Sequence, residues 1–139
     1  MLIKFLFDMY SVYKKWTTAK KQEYNGRLFD SKFEASQAYE LDMRKKAGDI
    51  KDYKTQVNIP LIVNGYKICD YRIDFIVEHN DGTREFIETK GVAFPVWKIK
   101  WRLFEALFTS PNNKLTIIQQ GNSFKMKKLK KIKNVCQKF

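Results

Sequence analysis

The sequence predicts a mixed α/β domain in the element order α-β-β-β-α-β, its sheet covered by helices, with further helices at both ends of the chain. Three observations carry that reading. Two tight-turn signals, Asn64-Gly65 and Asn80-Asp81-Gly82, separate three runs rich in β-branched and aromatic residues. A capped, glycine-terminated helical segment precedes these runs. An aromatic stripe at helical spacing follows them.

The first helix opens at Ser31-Lys32-Phe33-Glu34, a capping-box pattern in which the serine accepts from a free backbone N–H of the first turn, and it ends at Gly48. The run "YKTQVNIPLIV" then reads as a strand whose Pro60 marks an edge or a bulge, because proline has no N–H to give to a ladder. A second strand is expected over about 66–78 and a third over about 84–90, completing a meander. Pro95 suits a first helical position, and "PVWKIKWRLFEALF" spaces Trp97, Trp101, Phe104 and Phe108 by four, three and four, the pattern of a helix face laid on a core. "KLTIIQQ", 114–120, reads as a last strand, and "SFKMKKLKKIKNVCQKF" as a basic amphipathic helix with Met126, Leu129, Ile132 and Val135 on one line. The 139 residues suit one domain, divided into an N-terminal helical extension (1–23), a core (24–120) and the basic C-terminal helix (121–139).

Composition narrows the partner. With 27 Lys and Arg against 15 Asp and Glu, the formal net charge of +12 points to a polyanion, nucleic acid first and an acidic membrane surface second. The N-terminal run MLIKFLFDMYSVYKKW is broken by Lys4 and Asp8 and falls short of the ~20 apolar residues of a spanning helix, so an intracellular protein without a membrane partner is expected. Two cysteines, Cys69 and Cys136, and one histidine, His79, are too few for a zinc site or a Cys/His pair. His79 sits in the turn sequence HNDG, where solvation is the expected state. Any chemistry must use carboxylates, lysine and a hard metal ion.

The carboxylates are oddly placed. Asp74 interrupts the run Ile73-Asp74-Phe75-Ile76-Val77, and the third strand ends Glu88-Thr89-Lys90. Burying even a neutral polar group without a partner costs roughly 2–7 kcal/mol. Alternation of side chains puts Phe86, Glu88 and Lys90 on one face of the third strand and Arg72, Asp74 and Ile76 on one face of the second. If the hairpin sets Asp74 beside Glu88, two carboxylates repel, and Mg²⁺, which takes one or two carboxylates with waters and phosphate oxygens, turns repulsion into coordination. Lys90 then orients or activates a water near a scissile phosphate. Asp70, four residues before Asp74, is the rival acid, but Asp74 has apolar neighbours on both sides and so lies deeper.

The pattern Asp74-x13-Glu88-x-Lys90 resembles the PD-(D/E)xK nuclease superfamily, although Ile73 stands where the nominal proline would be, a commonly substituted position. Those enzymes often carry a glutamate on the helix before the meander, the place of Glu34. Over residues 24–120, "FDSKFEASQAYEL", the glutamine of "YKTQVNIPL", "DYRIDFIVEHNDG", "ETKG" and "KIKWRLFEALF" look like a phage-associated family of small nucleases, catalogued as a domain of unknown function and likened to Holliday-junction resolvases. The resemblance implies a restriction-endonuclease-like αβββαβ core. It implies Mg²⁺, with Mn²⁺ as substitute, held by Asp74, Glu88 and Glu34, a catalytic set completed by Lys90, and Gln56 as an accessory. It further implies branched or four-way DNA as substrate, a homodimer, and the cytoplasm, the host's if phage-encoded, as location.

Each residue has a plainer reading. Glu34 can be only the return partner of the capping box, Glu88 and Lys90 an exposed ion pair worth under ~1 kcal/mol, Asp74 a partner of Arg72 or Lys67, and Gln56 a solvated strand residue. Lys98, Lys100 and Arg102 either touch phosphates or form a solvated helix face, and Lys127, Lys128, Lys130 and Lys131 either track DNA or merely solvate the last helix. A restriction, homing or mobile-element endonuclease, an inert DNA-binding protein on the same fold, and a membrane or protein-interaction module stand as the alternatives. The aromatic N-terminal segment is the expected dimer surface.

Overall fold

The computed structural model describes residues 20–122 and 124–131. Its elements are β1 (Gln22–Tyr24), β2 (Arg27–Phe29), α1 (Lys32–Lys46), β3 (Asp52–Val63), β4 (Tyr66–Glu78), β5 (Arg84–Lys90), α2 (Pro95–Phe108) and β6 (Asn113–Gln119). The order from α1 to β6 is the expected αβββαβ. The chain divides into two compact units, one ending at Ala47 and the other beginning at Gly48.

In the first unit β1 and β2 form an antiparallel hairpin closed by Asn25-Gly26, with φ of 50° and 73°. Two consecutive positive φ values define the mirror-image turn whose twist suits strand pairs. The reading of residues 1–23 as a helical extension is corrected here: Gln22 and Glu23 are strand, and residues 1–19 lie outside the described residues. The same Asn-Gly signal was legible at 64–65, where φ is 50° and 83°, but three-residue strands are too short to show an alternation. Helix α1 starts as expected, Ser31 Oγ accepting the Glu34 N–H at 3.1 Å. It stops at Ala47 because Gly48, at φ 78°, takes the left-handed conformation that glycine adopts without strain. Ala35, Ala38 and Leu41 are its buried side.

In the second unit β3, β4 and β5 pair antiparallel and β6 joins β5 in parallel, giving the order β3-β4-β5-β6. A parallel neighbour needs a crossover, and α2 supplies it. The aromatic stripe of α2 packs on the sheet as expected: Trp101 and Phe104 are buried with Leu61, Tyr71, Ile73 and Phe86. The Phe104 ring stacks between Tyr71 at 5.0 Å and Phe108 at 4.7 Å. Each large apolar side chain so buried contributes about 1.5–3 kcal/mol.

Strand β4 does not keep one alternation along its length. Ile73 and Ile76, three residues apart, both pack on the Trp101–Phe104 cluster, although strict alternation sends them to opposite faces. The irregularity lies between them. Thr55↔Phe75 and Val57↔Ile73 are ladder pairs, but the intervening Gln56 and Asp74 are not, and Gln56 has φ 51°. The expected common face of Arg72, Asp74 and Ile76 is thus corrected, because the chain changes face at Asp74.

The basic C-terminal helix expected over 121–139 is also corrected in its described part: residues 124–131 have no regular secondary structure, and 132–139 lie outside the described residues. Lysines three and four apart, Lys127 with Lys130 and Lys131, repel on a helix, and tertiary anchors hold the segment instead. Phe124 meets Trp97 edge-on at 5.6 Å, Met126 packs on the core, and Arg102 donates to the Lys127 carbonyl. Leu129, 44% exposed, takes no part in the expected apolar line. No helix among the described residues is long and apolar enough to cross a membrane.

Candidate active site

The β4–β5 ladder ends at Phe75↔Ile87, so Asp74 and Glu88 are the next residues along the two strands, where pairing gives way to side-chain contacts. Asp74 Oδ2 accepts from the Thr89 N–H at 2.7 Å and from the Thr89 hydroxyl at 2.6 Å. Glu88 is 4% exposed. Its Oε1 accepts the indole N–H of Trp97 at 2.9 Å and lies 3.5 Å from Lys90 Nζ. Its Oε2 is buried and, among the described residues, has no hydrogen-bond partner. The same indole N–H lies 3.0 Å from the Tyr71 hydroxyl, and Lys90 Nζ stands 5.0 Å from the centre of the Trp97 ring.

The electrostatics follow from this geometry. Burial, reinforced by the neighbouring Asp74 carboxylate, pushes the Glu88 carboxyl up to about 8, against the pull of Lys90, the Trp97 N–H and the Tyr71 hydroxyl. Burial also raises Asp74, against the two Thr89 hydrogen bonds and the charges of Lys90 and Arg72. The Tyr71 hydroxyl is driven far above its ordinary value, first by burial and then by Glu88. Two carboxyls and a phenol are thus gathered where charge is costly, with one ammonium to offset them.

Asp74, Glu88 and Lys90 therefore meet, as the sequence spacing predicts. Two of the plainer readings do not match the geometry: Glu88 is buried rather than an exposed partner of Lys90, and Lys67 pairs at 2.8 Å with Asp70, both exposed; the third stands in part, since the Arg72 charge acts on Asp74. Gln56 stands opposite Asp74 in a left-handed conformation, which costs a non-glycine residue about 1–3 kcal/mol and is concentrated at functional sites. Glu34 belongs to the first unit and is buried there, its Oε2 accepting the Asp30 N–H at 3.0 Å. On α2, Lys98 is exposed, Lys100 is half-buried, and Arg102 is engaged by Glu105 at 2.8 Å as well as by the Lys127 carbonyl. Lys127, Lys128, Lys130 and Lys131 are exposed.

Three contributors were not read from the sequence. Thr89 lies inside Glu-x-Lys, yet nothing in the spacing shows its hydroxyl turned to Asp74. Trp97 is read from the sequence as core packing and Tyr71 is not singled out, although both carry a polar tip that needs a partner when buried, and that tip is the available signal. His79, expected to be solvated, instead places Nε2 3.3 Å from the buried Glu85.

The donor set fits a hard divalent cation on one observation: a buried carboxylate oxygen without a partner beside a second carboxyl. Among the described residues no group of three or more His, Cys, Asp or Glu could hold a metal ion. The fit is that of an open two-carboxylate site, not of a protein cage. No curated protein and no solved structure matches the chain. Residues 13–130 match the model of a family described as protein of unknown function (DUF1064), and the chain belongs to that family.

Proposed function

We propose that the chain is a Mg²⁺-dependent endodeoxyribonuclease of the PD-(D/E)xK kind, structure-selective on branched DNA such as a four-way junction and acting as a homodimer in the cytoplasm. The observation that carries the reading is Glu88 Oε2, a buried acceptor left open next to Asp74 and Lys90. Asp74 and Glu88 are the residues that would hold the ion. When bound, Mg²⁺ supplies Lewis-acid stabilisation of the phosphate and a more acidic water. In hydrolysis a water oxygen forms a bond to phosphorus as a P–O ester bond breaks, leaving a phosphate and a hydroxyl. Lys90, one residue beyond Thr89 and with its ammonium 5.0 Å from the centre of the Trp97 ring, orients that water. Thr89 fixes Asp74 through Oδ2 and leaves Oδ1 for other contacts. The charge of +12 favours phosphate contacts that give affinity without reading sequence, as shape recognition requires. Two cuts at one junction call for two-fold symmetry.

The test is incubation with linear duplex, single strand, flap and four-way junction in Mg²⁺, for the wild type and for Asp74→Asn and Glu88→Gln. We expect junction cleavage by the wild type, none by either variant, and retained DNA binding by all three. Turnover near wild type in a variant overturns the assignment of the carboxylates. Binding without cleavage by the wild type favours the inert DNA-binding reading, and sequence-dependent duplex cleavage favours the restriction or homing reading.

A further inference from the structure

Glu88 and Lys90 come from one strand, but the side chain that touches both comes from another element. Trp97 lies in the first turn of α2, and its two functional surfaces are divided between them: the N–H edge meets Glu88 Oε1 at 2.9 Å, and the ring lies 5.0 Å from Lys90 Nζ. We propose that Trp97 is the positioning residue of this site, fixing Glu88 through Oε1 so that Oε2 stays open, and seating the Lys90 ammonium on its ring.

The inference rests on the nuclease reading for what the positioned groups do, but its geometry stands apart. Lys90 Nζ is already 3.5 Å from Glu88 Oε1. Without a competing donor on Oε1, the carboxylate and ammonium close into a direct pair, and the lysine is no longer available to water. The indole prevents this by taking Oε1 on one side and holding the cation on the other. An ammonium within about 6 Å of a tryptophan ring is attracted to its face. No other natural side chain pairs this aromatic area with a donor and no acceptor.

Trp97 is itself held in place. Its ring stacks on Trp101 at 6.0 Å and 20°, and Phe124 closes on it edge-on at 5.6 Å. Within its stripe Trp101 and Phe104 are buried, whereas Trp97, like Phe108, is half-buried. Packing alone explains the first two. It does not explain a ring whose N–H is spent on a carboxylate and a phenol.

Two variants separate the functions of the ring. Trp97→Phe keeps a face for Lys90 and removes the N–H; Trp97→Met keeps an apolar side chain and removes both. Lys90 is followed in ¹H–¹³C spectra of the reductively ¹³C-methylated protein, assigned by Lys90→Arg, and Mn²⁺ affinity by calorimetry. In the wild type the Lys90 methyl signal should be displaced upfield by the ring current. Trp97→Phe should retain much of that displacement, and Trp97→Met should move the signal to the position of the exposed lysines. Mn²⁺ affinity should fall about tenfold in Trp97→Phe, at the lower end for loss of a group that orients a metal ligand, and kcat should fall with KM unchanged. An undisplaced Lys90 signal in the wild type overturns the proposal, as does wild-type Mn²⁺ affinity in Trp97→Phe. If the wild type binds no Mn²⁺ and cleaves no DNA, the nuclease reading fails, while a displaced Lys90 signal still upholds the positioning by Trp97. Should Trp97→Met not fold, the wild-type displacement and the Trp97→Phe measurements decide.

Discussion

Two glutamates three residues apart on β5 are equally hidden from water, Glu85 at 6% exposure and Glu88 at 4%, yet the protein treats them in opposite ways. Glu85 Oε1 accepts the Thr116 hydroxyl and lies 3.1 Å from Lys114 Nζ, while its Oε2 faces His79 at 3.3 Å. Burial would raise its carboxyl, but Thr116 and Lys114 outweigh burial and hold it below the ordinary range. Glu88 has Trp97 and Lys90 at Oε1, the Tyr71 hydroxyl close to its carboxyl, no hydrogen-bond partner at Oε2 among the described residues, and Asp74 beside it. Burial therefore does not distinguish Glu85 from Glu88; the supply of donors does. A buried acid given all its donors ties strands together. One left short beside a second acid is held ready for a ligand.

The largest effect should come from exchanging the two acids' fates. Glu88→Gln should lower Mg²⁺-dependent cleavage by several kcal/mol in the transition state, about 10³-fold or more, while raising the melting temperature of the metal-free protein at pH 8. Glu85→Gln should do the reverse, leaving kcat near wild type and costing about 1–3 kcal/mol of stability by stripping Thr116 and Lys114 of a charged acceptor. Parallel cleavage assays and melting curves check both. Loss of activity in Glu85→Gln with an intact fold would break the contrast.

Lys90→Ala should slow cleavage about 10²-fold, in the range of a positioned proton-transfer or water-orienting group, without abolishing Mn²⁺ binding measured by calorimetry. A lost metal signal would make Lys90 a structural partner of Glu88, and Glu88 would then resemble Glu85 more closely than the geometry indicates.

The pH dependence sharpens the comparison further. Glu88 holds its proton in the folded state up to about 8, whereas the unfolded chain releases it in the ordinary carboxylate range. Between those limits the native state binds more protons, so this group's contribution is greatest at low pH and declines as pH rises to about 8. At roughly 1.4 kcal/mol per pH unit the loss is on the order of a few kcal/mol. Glu85, depressed in the fold, contributes above the ordinary carboxylate value and loses that contribution as pH falls through its own lower value. Metal-free unfolding free energies between pH 5 and 8 should fall in the wild type and stay flatter in Glu88→Gln.

The smallest effect on the site, though not on DNA affinity, should come from changing Lys127, Lys128, Lys130 and Lys131 to Gln. The slope of log K against log salt should drop by about 3–4, at about 0.9 per neutralised phosphate, with the preference for branched DNA retained. Substitution is the sharper test than truncation after Ser123, which also removes Phe124 from Trp97 and Met126 from the core. An unchanged slope would leave Lys98 and Lys100 as the phosphate contacts.

Much of the fold was legible because its signals are local. Turn chemistry at Asn64-Gly65 and Asn80-Asp81-Gly82, the Ser31 cap, the Gly48 stop and the 97/101/104/108 stripe each act within a few residues, and the elements they mark lie where they were read. The β1–β2 hairpin was missed although Asn25-Gly26 carried the same turn signal, since its strands are too short to alternate. The tail was misread because an apolar period was taken as a helix when its lysines repel and its anchors, Trp97 and Arg102, are distant in sequence.

For the candidate site the division is the same. The sequence by itself indicated that Asp74, Glu88 and Lys90 lie together, because a hairpin sets which residues of neighbouring strands stand side by side; the face Asp74 takes was not legible, since alternation breaks at Gln56 and Asp74. Only the tertiary structure decided how each acid is treated there. The Gln56 twist opposite Asp74, the Thr89 hydroxyl on Oδ2, the Trp97 indole on Oε1 and the open Oε2 depend on which donors other elements bring within 3 Å. Hydrogen bonding and desolvation act over that distance in space, and spacing along a chain does not report it.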